Sequence, residues 1–133
     1  SRARLRMTTL YQVAAANKGI VVGTGNKVED FGVGFYTKYG DGGVDISPIA
    51  DCNKSEVWEL GKELGILKEI IDAPPTDGLW DDGRTDEGQL GFKYSELEDA
   101  MGNPNSPHRA QYEKIRNQNL HKMEPIPVCK IPS

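Results

Sequence analysis

The run Gly34-Phe35-Tyr36-Thr37-Lys38-Tyr39-Gly40-Asp41-Gly42-Gly43-Val44-Asp45 gathers a cation, two carboxylates and aromatic rings on a glycine-rich backbone. That set suits a polar, flat, charged ligand, with phosphates on Lys38, ribose hydroxyls on Asp45 and a ring against Tyr36 or Tyr39. An ordinary surface loop would not account for so many functional groups packed together. The run is neither a GxxxxGK[ST] phosphate loop nor a GxGxxG dinucleotide fingerprint. Upstream, Val21-Val22-Gly23-Thr24-Gly25-Asn26 reads as a strand that ends in a Gly-Thr-Gly turn, at the edge where α/β sheets bind ligands. Thr24 offers a hydroxyl there, and Glu29 follows five residues on as a carboxylate able to ligate Mg²⁺. The plainer alternatives are a tight strand-to-helix turn and a solvated Glu. Lys54 sits at a helix start, where a cation faces the helix dipole unfavourably, and this misfit favours a functional role over a solvated one.

The elements that must position these groups follow from periodicity. Met7, Leu10, Tyr11 and Ala14 recur at helical spacing and predict a helix from about Arg2 to Asn17, closed by Lys18-Gly19. Ile20-Val21-Val22 predicts a short buried parallel strand. A second helix is expected over about Lys27 to Phe31, followed by a glycine loop from Gly32 to Pro48, where glycine supplies backbone angles closed to other residues. Asn53-Lys54-Ser55-Glu56 matches a capping box, Val57, Leu60 and Leu64 supply a buried face, and Gly65 stands where a glycine ends the helix. Ile70-Ile71 reads as one more short strand. Asp72 to Gly91 lacks periodicity, as expected of a lid or binding loop. Ser95 with Glu98 is expected to cap one helix ending at Gly102, Ser106-Pro107 to open another, and the tail from Leu120 to be irregular. These elements predict an α/β fold, part of a parallel-sheet three-layer sandwich.

Composition bounds the rest. The 133 residues suffice for one domain, so 1–133 is taken as a portion of a single domain. A net charge of −4 argues against non-specific nucleic-acid binding. No apolar run reaches membrane-spanning length and no signal peptide is visible, so a cytoplasmic location is expected. Cys52 and Cys129 fit free thiols better than a disulfide. The acids Asp72, Asp77, Asp81, Asp82, Asp86 and Glu87 do not follow EF-hand spacing.

Several segments together resemble the ammonia-dependent NAD synthetases. They are Arg4-Leu5-Arg6-Met7, Gly23-Thr24 with Glu29, the Gly34–Gly43 run, Lys54 ahead of its helix, Pro75-Thr76-Asp77, Asp86-Glu87 with Leu90-Gly91, and His121-Lys122. The resemblance implies an N-type ATP pyrophosphatase with an adenine nucleotide alpha hydrolase-like fold. Its reaction would be NAD biosynthesis by amidation of deamido-NAD with ammonia, through an adenylated intermediate, releasing AMP and pyrophosphate. Carried over by position, Thr24, Lys54 and Thr76 would contact ATP. Glu29 would hold Mg²⁺. Arg4, Lys38, Asp45, His121 and Lys122 would hold deamido-NAD. Lys54 and Thr76 would also act in catalysis, with Asp41 a candidate for orienting ammonium or substrate. Family members are homodimers with substrate at the interface, and the 72–91 loop is expected to order over ATP.

The chain opens without Met straight into helical periodicity, and the family's Ser-Gly-Gly-x-Asp-Ser pyrophosphate loop does not occur in it. It therefore reads as the C-terminal half of a synthetase, with the N-terminal half missing and the fragment inactive alone. Where many relatives carry Asp-His-Ala-Ala-Glu, this chain has Gly25-Asn26-Lys27-Val28-Glu29, which keeps the carboxylate at matching spacing. Rival readings are another amidating ligase of the same superfamily, such as a GMP or asparagine synthetase, and a non-catalytic dinucleotide-binding or dimerisation fragment.

Overall fold

A computed structural model describes residues 1–132. Among the described residues six α-helices are formed: α1 (Arg2–Ala16), α2 (Lys54–Glu63), α3 (Lys68–Ile71), α4 (Asp86–Leu90), α5 (Tyr94–Gly102) and α6 (Arg109–Met123). A π-helical turn, Val28–Val33, lies between α1 and α2.

The core forms where the π turn, α5 and α6 meet. Val28, Val33, Phe92, Tyr94, Leu97, Ala100 and Tyr112 are buried together, with Phe35, Leu90, Met101 and Ile115 packed around them. A π turn leaves carbonyls without the usual i→i−4 partners, and α6 supplies donors for them. Arg116 Nη1 donates to the carbonyls of Phe31 and Gly32, and Asn119 Nδ2 to Val33 O at 3.0 Å. Lys122 Nζ donates to Gly34 O and Tyr36 O at 2.9 and 2.7 Å. These three side chains lie three residues apart on α6, so one helix face reads the backbone of the glycine run in order.

The parallel-sheet sandwich is not formed by the described residues. Their β pairing is one parallel bridge, Val22 with Ile46, supported by Gly23 N to Ile46 O at 2.7 Å and Asp45 N to Val21 O at 2.9 Å. Val21 is buried, whereas Ile20 and Val22 are exposed, because no further strand or helix layer of the described chain covers them. Other expectations need correction for the same or for local reasons. Ile70-Ile71 is helical, in α3, where Lys68 pairs with Asp72 one turn on. Leu60 and Leu64 are exposed, Leu64 by 74%. The α5 start is capped by Glu96, which accepts from Lys93 N at 2.8 Å. Glu98 reaches α2 instead, accepting from Ser55 N and Ser55 Oγ. Pro107 precedes α6 in a turn, and α6 runs on to Met123 past the expected irregular start at Leu120.

Helix ends follow the sequence more closely. Asn53 N donates to Glu56 Oε2 at 2.6 Å, completing the box at α2. Gly65 takes φ +69°, with Gly65 N to Lys62 O and Ile66 N to Gly61 O closing a Schellman motif. In the glycine run only Gly34 has positive φ, and the left-handed residue beyond it is Tyr39. Gly42 is required for space: a Cβ there would lie 2.5 Å from the Tyr36 ring. Among the described residues no helix is long and apolar enough to cross a membrane. Cys52 and Cys129 are free.

Leu97 is wholly buried at the junction of the three core elements. We expect Leu97→Ala to lower the unfolding free energy of the full-length protein by about 2–5 kcal/mol in urea denaturation. An unchanged denaturation midpoint would show that the core lies elsewhere.

Candidate functional site

Glu29 is fixed from both ends. Asn26, 1% exposed, accepts through Oδ1 from Val28 N and Glu29 N at 3.0 and 3.2 Å. Asn26 N donates back to Glu29 Oε2 at 3.2 Å. This is a capping box on the π turn. The remaining Glu29 oxygen, Oε1, accepts from Tyr94 Oη at 2.5 Å and lies 3.9 Å from Lys54 Nζ. The Lys54 and Glu29 side chains are only 18% and 15% exposed. Lys54 Nζ also stands 5.1 Å from the Tyr94 ring centre and 5.9 Å from that of Trp58, within cation–π range. Burial, and then the Glu29 charge, raise the Tyr94 hydroxyl pKa, so it stays a proton donor.

A cavity of about 700 Å³ opens in front of this group. Thr24, Glu29, Asp41, Lys54, Thr76 and Lys122 all line it, so residues spread over most of the chain converge. Arg4, Lys38, Asp45 and His121 do not line it. Arg4 Nε donates to Lys38 O at 3.3 Å and Lys38 Nζ to His121 O at 2.8 Å, which joins three of them in an exposed string beside the cavity. The Asp45 carboxylate accepts from Val21 N at 2.8 Å and from Tyr11 Oη at 3.3 Å, steadying the β bridge. Lys122 holds two backbone carbonyls, and burial lowers its pKa. Asp41 Oδ1 accepts from Thr37 N at 2.9 Å.

The 72–91 segment is folded back over α1. Arg6 donates to Asp77 O and Gly78 O at 3.1 and 3.3 Å, and Arg2 Nη1 to Leu79 O. Trp80 lies under the Arg84 guanidinium at 4.4 Å. Thr76 Oγ1 donates to Arg84 O at 3.0 Å. Where no structure was expected, α4 forms, because Thr85 Oγ1 caps Gly88 N at 3.1 Å.

Sequence reasoning gave no role to Asn26, Tyr94 or Asp30, and none to Asp86, although Asp86-Glu87 stood among the family-like segments. Asn26-x-x-Glu29 is a readable capping signature; Tyr94 reaches Glu29 only through tertiary packing. Asp86 is 8% exposed, and its Oδ1 has no hydrogen-bond partner among the described residues. Burial first, then Glu29 and Asp77, raise its pKa. The same causes act on Asp30. Burial, followed by the charges of Glu29 and Asp41, pushes it up to about 6.

A profile of the NAD synthase family matches residues 1–131. The chain belongs to the NAD synthase family. It is 44% identical over 132 residues to the NH3-dependent NAD+ synthetase of Alkaliphilus oremlandii, covering 98% of this chain and 52% of that protein. It is 50% identical over 95 residues to that of Carboxydothermus hydrogenoformans, covering 71% and 38%. The chain thus spans about half the length of the curated relatives it matches. Among solved structures it superposes on an NMN synthetase from Francisella tularensis with a TM-score of 0.88 at 39% identity, covering 97% of this chain and 54% of the other. It also superposes on an NH3-dependent NAD synthetase from Campylobacter jejuni with a TM-score of 0.68 at 26% identity, covering 97% and 53%. The relatives are named NH3-dependent NAD+ synthetases, and this chain shares the fold of the solved ones.

Asp30 gives a pH-dependent stability. Its pKa is above the ordinary 3.8, so the folded state holds the proton more tightly and the group's contribution falls as pH rises from 3.8 through about 6. We expect Asp30→Asn, in metal-free buffer, to melt above the natural protein at neutral pH, with the gap closing as pH falls through that window. A gap independent of pH would contradict this.

Proposed function

We propose that residues 1–133 form the C-terminal portion of a single synthetase domain, and that the full-length protein amidates deamido-NAD with ammonia at the expense of ATP. The observation that carries the reading is the convergence of Thr24, Glu29, Lys54 and Thr76 on one cavity wall. The nicotinate carboxylate oxygen bonds to the α-phosphorus of ATP while the bond to pyrophosphate breaks. Ammonia then bonds to the acyl carbon, the bond to AMP breaks, and the nitrogen loses a proton.

Each step gathers negative charge on phosphate oxygens. Lys54, desolvated and already positioned, offsets that charge without reorganising. The Thr24 and Thr76 hydroxyls hold the nucleotide. Asp41, which lines the same cavity, is assigned to accept from ammonium and orient it. The donor chemistry suits Mg²⁺: Glu29 is a carboxylate, and the unpartnered Asp86 Oδ1 is a buried oxygen lining the same cavity. When bound, Mg²⁺ supplies charge neutralisation on the phosphates. Folding of the 72–91 segment over the cavity keeps water from the reactive adenylate. The exposed string of Arg4, Lys38 and His121 is assigned, with Lys122 and Asp45, to the dinucleotide, reached in a homodimer. The chain without the family's pyrophosphate loop is expected to be inactive, and the working enzyme is placed in the cytoplasm.

A second reading concerns the substrate. The likeness to an NMN synthetase structure, together with four assigned dinucleotide residues lying outside the cavity, favours a pyridine mononucleotide as an alternative acceptor of ammonia.

The test is amide formation by the full-length protein with ATP, Mg²⁺ and ammonium, on deamido-NAD and on nicotinate mononucleotide in parallel. We expect turnover of one of the two and a loss of roughly 10²–10³-fold in Lys54→Ala. Turnover of neither, or an undiminished Lys54→Ala rate, would overturn the proposal; the preferred substrate decides between the two readings.

A further inference from the structure

Asp86 occupies an unusual position. It opens α4, at the end of the segment that folds over α1, and its backbone N donates to Pro75 O at 2.9 Å, pinning the two ends of the loop together. The residue is 8% exposed, lines the cavity with Glu29 and Lys54, and leaves Oδ1 without a hydrogen-bond partner among the described residues. A buried carboxylate oxygen without a hydrogen bond is costly, so the position favours a proton or a cation there. Tyr94, which donates to Glu29, also lies against Asp86. Two carboxylates thus flank one hydroxyl, with one ammonium, Lys54, to offset them. Together the three charged groups carry one net negative charge in a desolvated pocket, which favours a cation there, and a divalent ion keeps a further positive charge to meet a substrate phosphate.

We infer that Asp86 is a second carboxylate ligand for the cation at Glu29, carried by the loop, so that cation binding and loop closure stabilise each other. Among the described residues no three metal-binding side chains converge, so this chain supplies a pair. Mg²⁺ is commonly held by one or two carboxylates with water and substrate phosphates completing the shell. The coupling follows from linkage. If the closed loop presents Asp86 to the cation and the open loop does not, the cation binds the closed state better and shifts the population toward it. Without the cation, apposition of Asp86 to Glu29 opposes closure.

The inference rests on Glu29 as a cation ligand, and the experiment separates the two. Mn²⁺ binding to the full-length protein is titrated by electron paramagnetic resonance, and amide exchange of residues 72–85 is followed with and without Mn²⁺. The natural protein is expected to bind Mn²⁺ and to slow exchange in the loop. Asp86→Asn is expected to bind about 10–100-fold more weakly, with loop exchange no longer responding to Mn²⁺. In chelator, Asp86→Asn is expected to melt no lower than the natural protein, since an unpaired carboxylate is gone. Unaltered Mn²⁺ affinity and loop response in Asp86→Asn would overturn this inference alone. Unaltered binding in Glu29→Gln would overturn the Glu29 assignment. Loop exchange that ignores Mn²⁺ in the natural protein overturns the coupling with no substitution needed.

Discussion

The Glu29 carboxylate joins three parts of the chain that are distant in sequence. One oxygen accepts from Asn26 N at its own helix start, the other accepts from Tyr94 Oη at the start of α5, and Lys54 Nζ at the start of α2 faces it. Burying a carboxylate is unfavourable unless its oxygens are satisfied, so the fold must supply all three partners for the π turn to sit where it does. The core places them: Val28, Tyr94 and Leu97 are each at most 1% exposed and pack together. The glycine run then leaves the π turn on a path set by Arg116, Asn119 and Lys122, which take its carbonyls in succession.

This construction explains why the site is stiff on one side and adjustable on the other. Glu29, Lys54 and Tyr94 are held by packed helices. Thr76 and Asp86 ride on a segment tied to α1 mainly through arginine side chains and backbone carbonyls. Exposed charge-assisted contacts of this kind are worth little individually, so the segment can open at small cost. The division suits the proposed reaction, in which the phosphates would be met by preorganised charge and water excluded once both substrates are bound.

Part of the candidate cavity's lining was legible in the sequence. Thr24, Glu29, Asp41, Lys54, Thr76 and Lys122 were singled out by residue type, spacing and family resemblance, and all line one cavity. The caps at Asn53 and Gly65 were legible because capping is local chemistry. What failed depended on distant partners. Ile70-Ile71 became helical and Leu60 and Leu64 stayed exposed because apolar composition does not say what will cover a face. The parallel sheet is reduced to one bridge because strand pairing needs neighbours that the described chain does not provide. Tyr94 carries no local signal of its contact; only packing brings its hydroxyl to Glu29. Lys122 was read as a substrate group, and its ammonium is held by two backbone carbonyls of the glycine run.

The most direct test of this account is the Mg²⁺ dependence of amide formation in Tyr94→Phe, which deletes one hydroxyl and leaves the ring in the core. If Tyr94 fixes Glu29 for the cation, the variant stays folded but needs about 10–100-fold more Mg²⁺ for half-maximal rate. A Mg²⁺ requirement identical to that of the natural protein would contradict the account, because Glu29 would then hold its position without the contact on which the rest of the site is built.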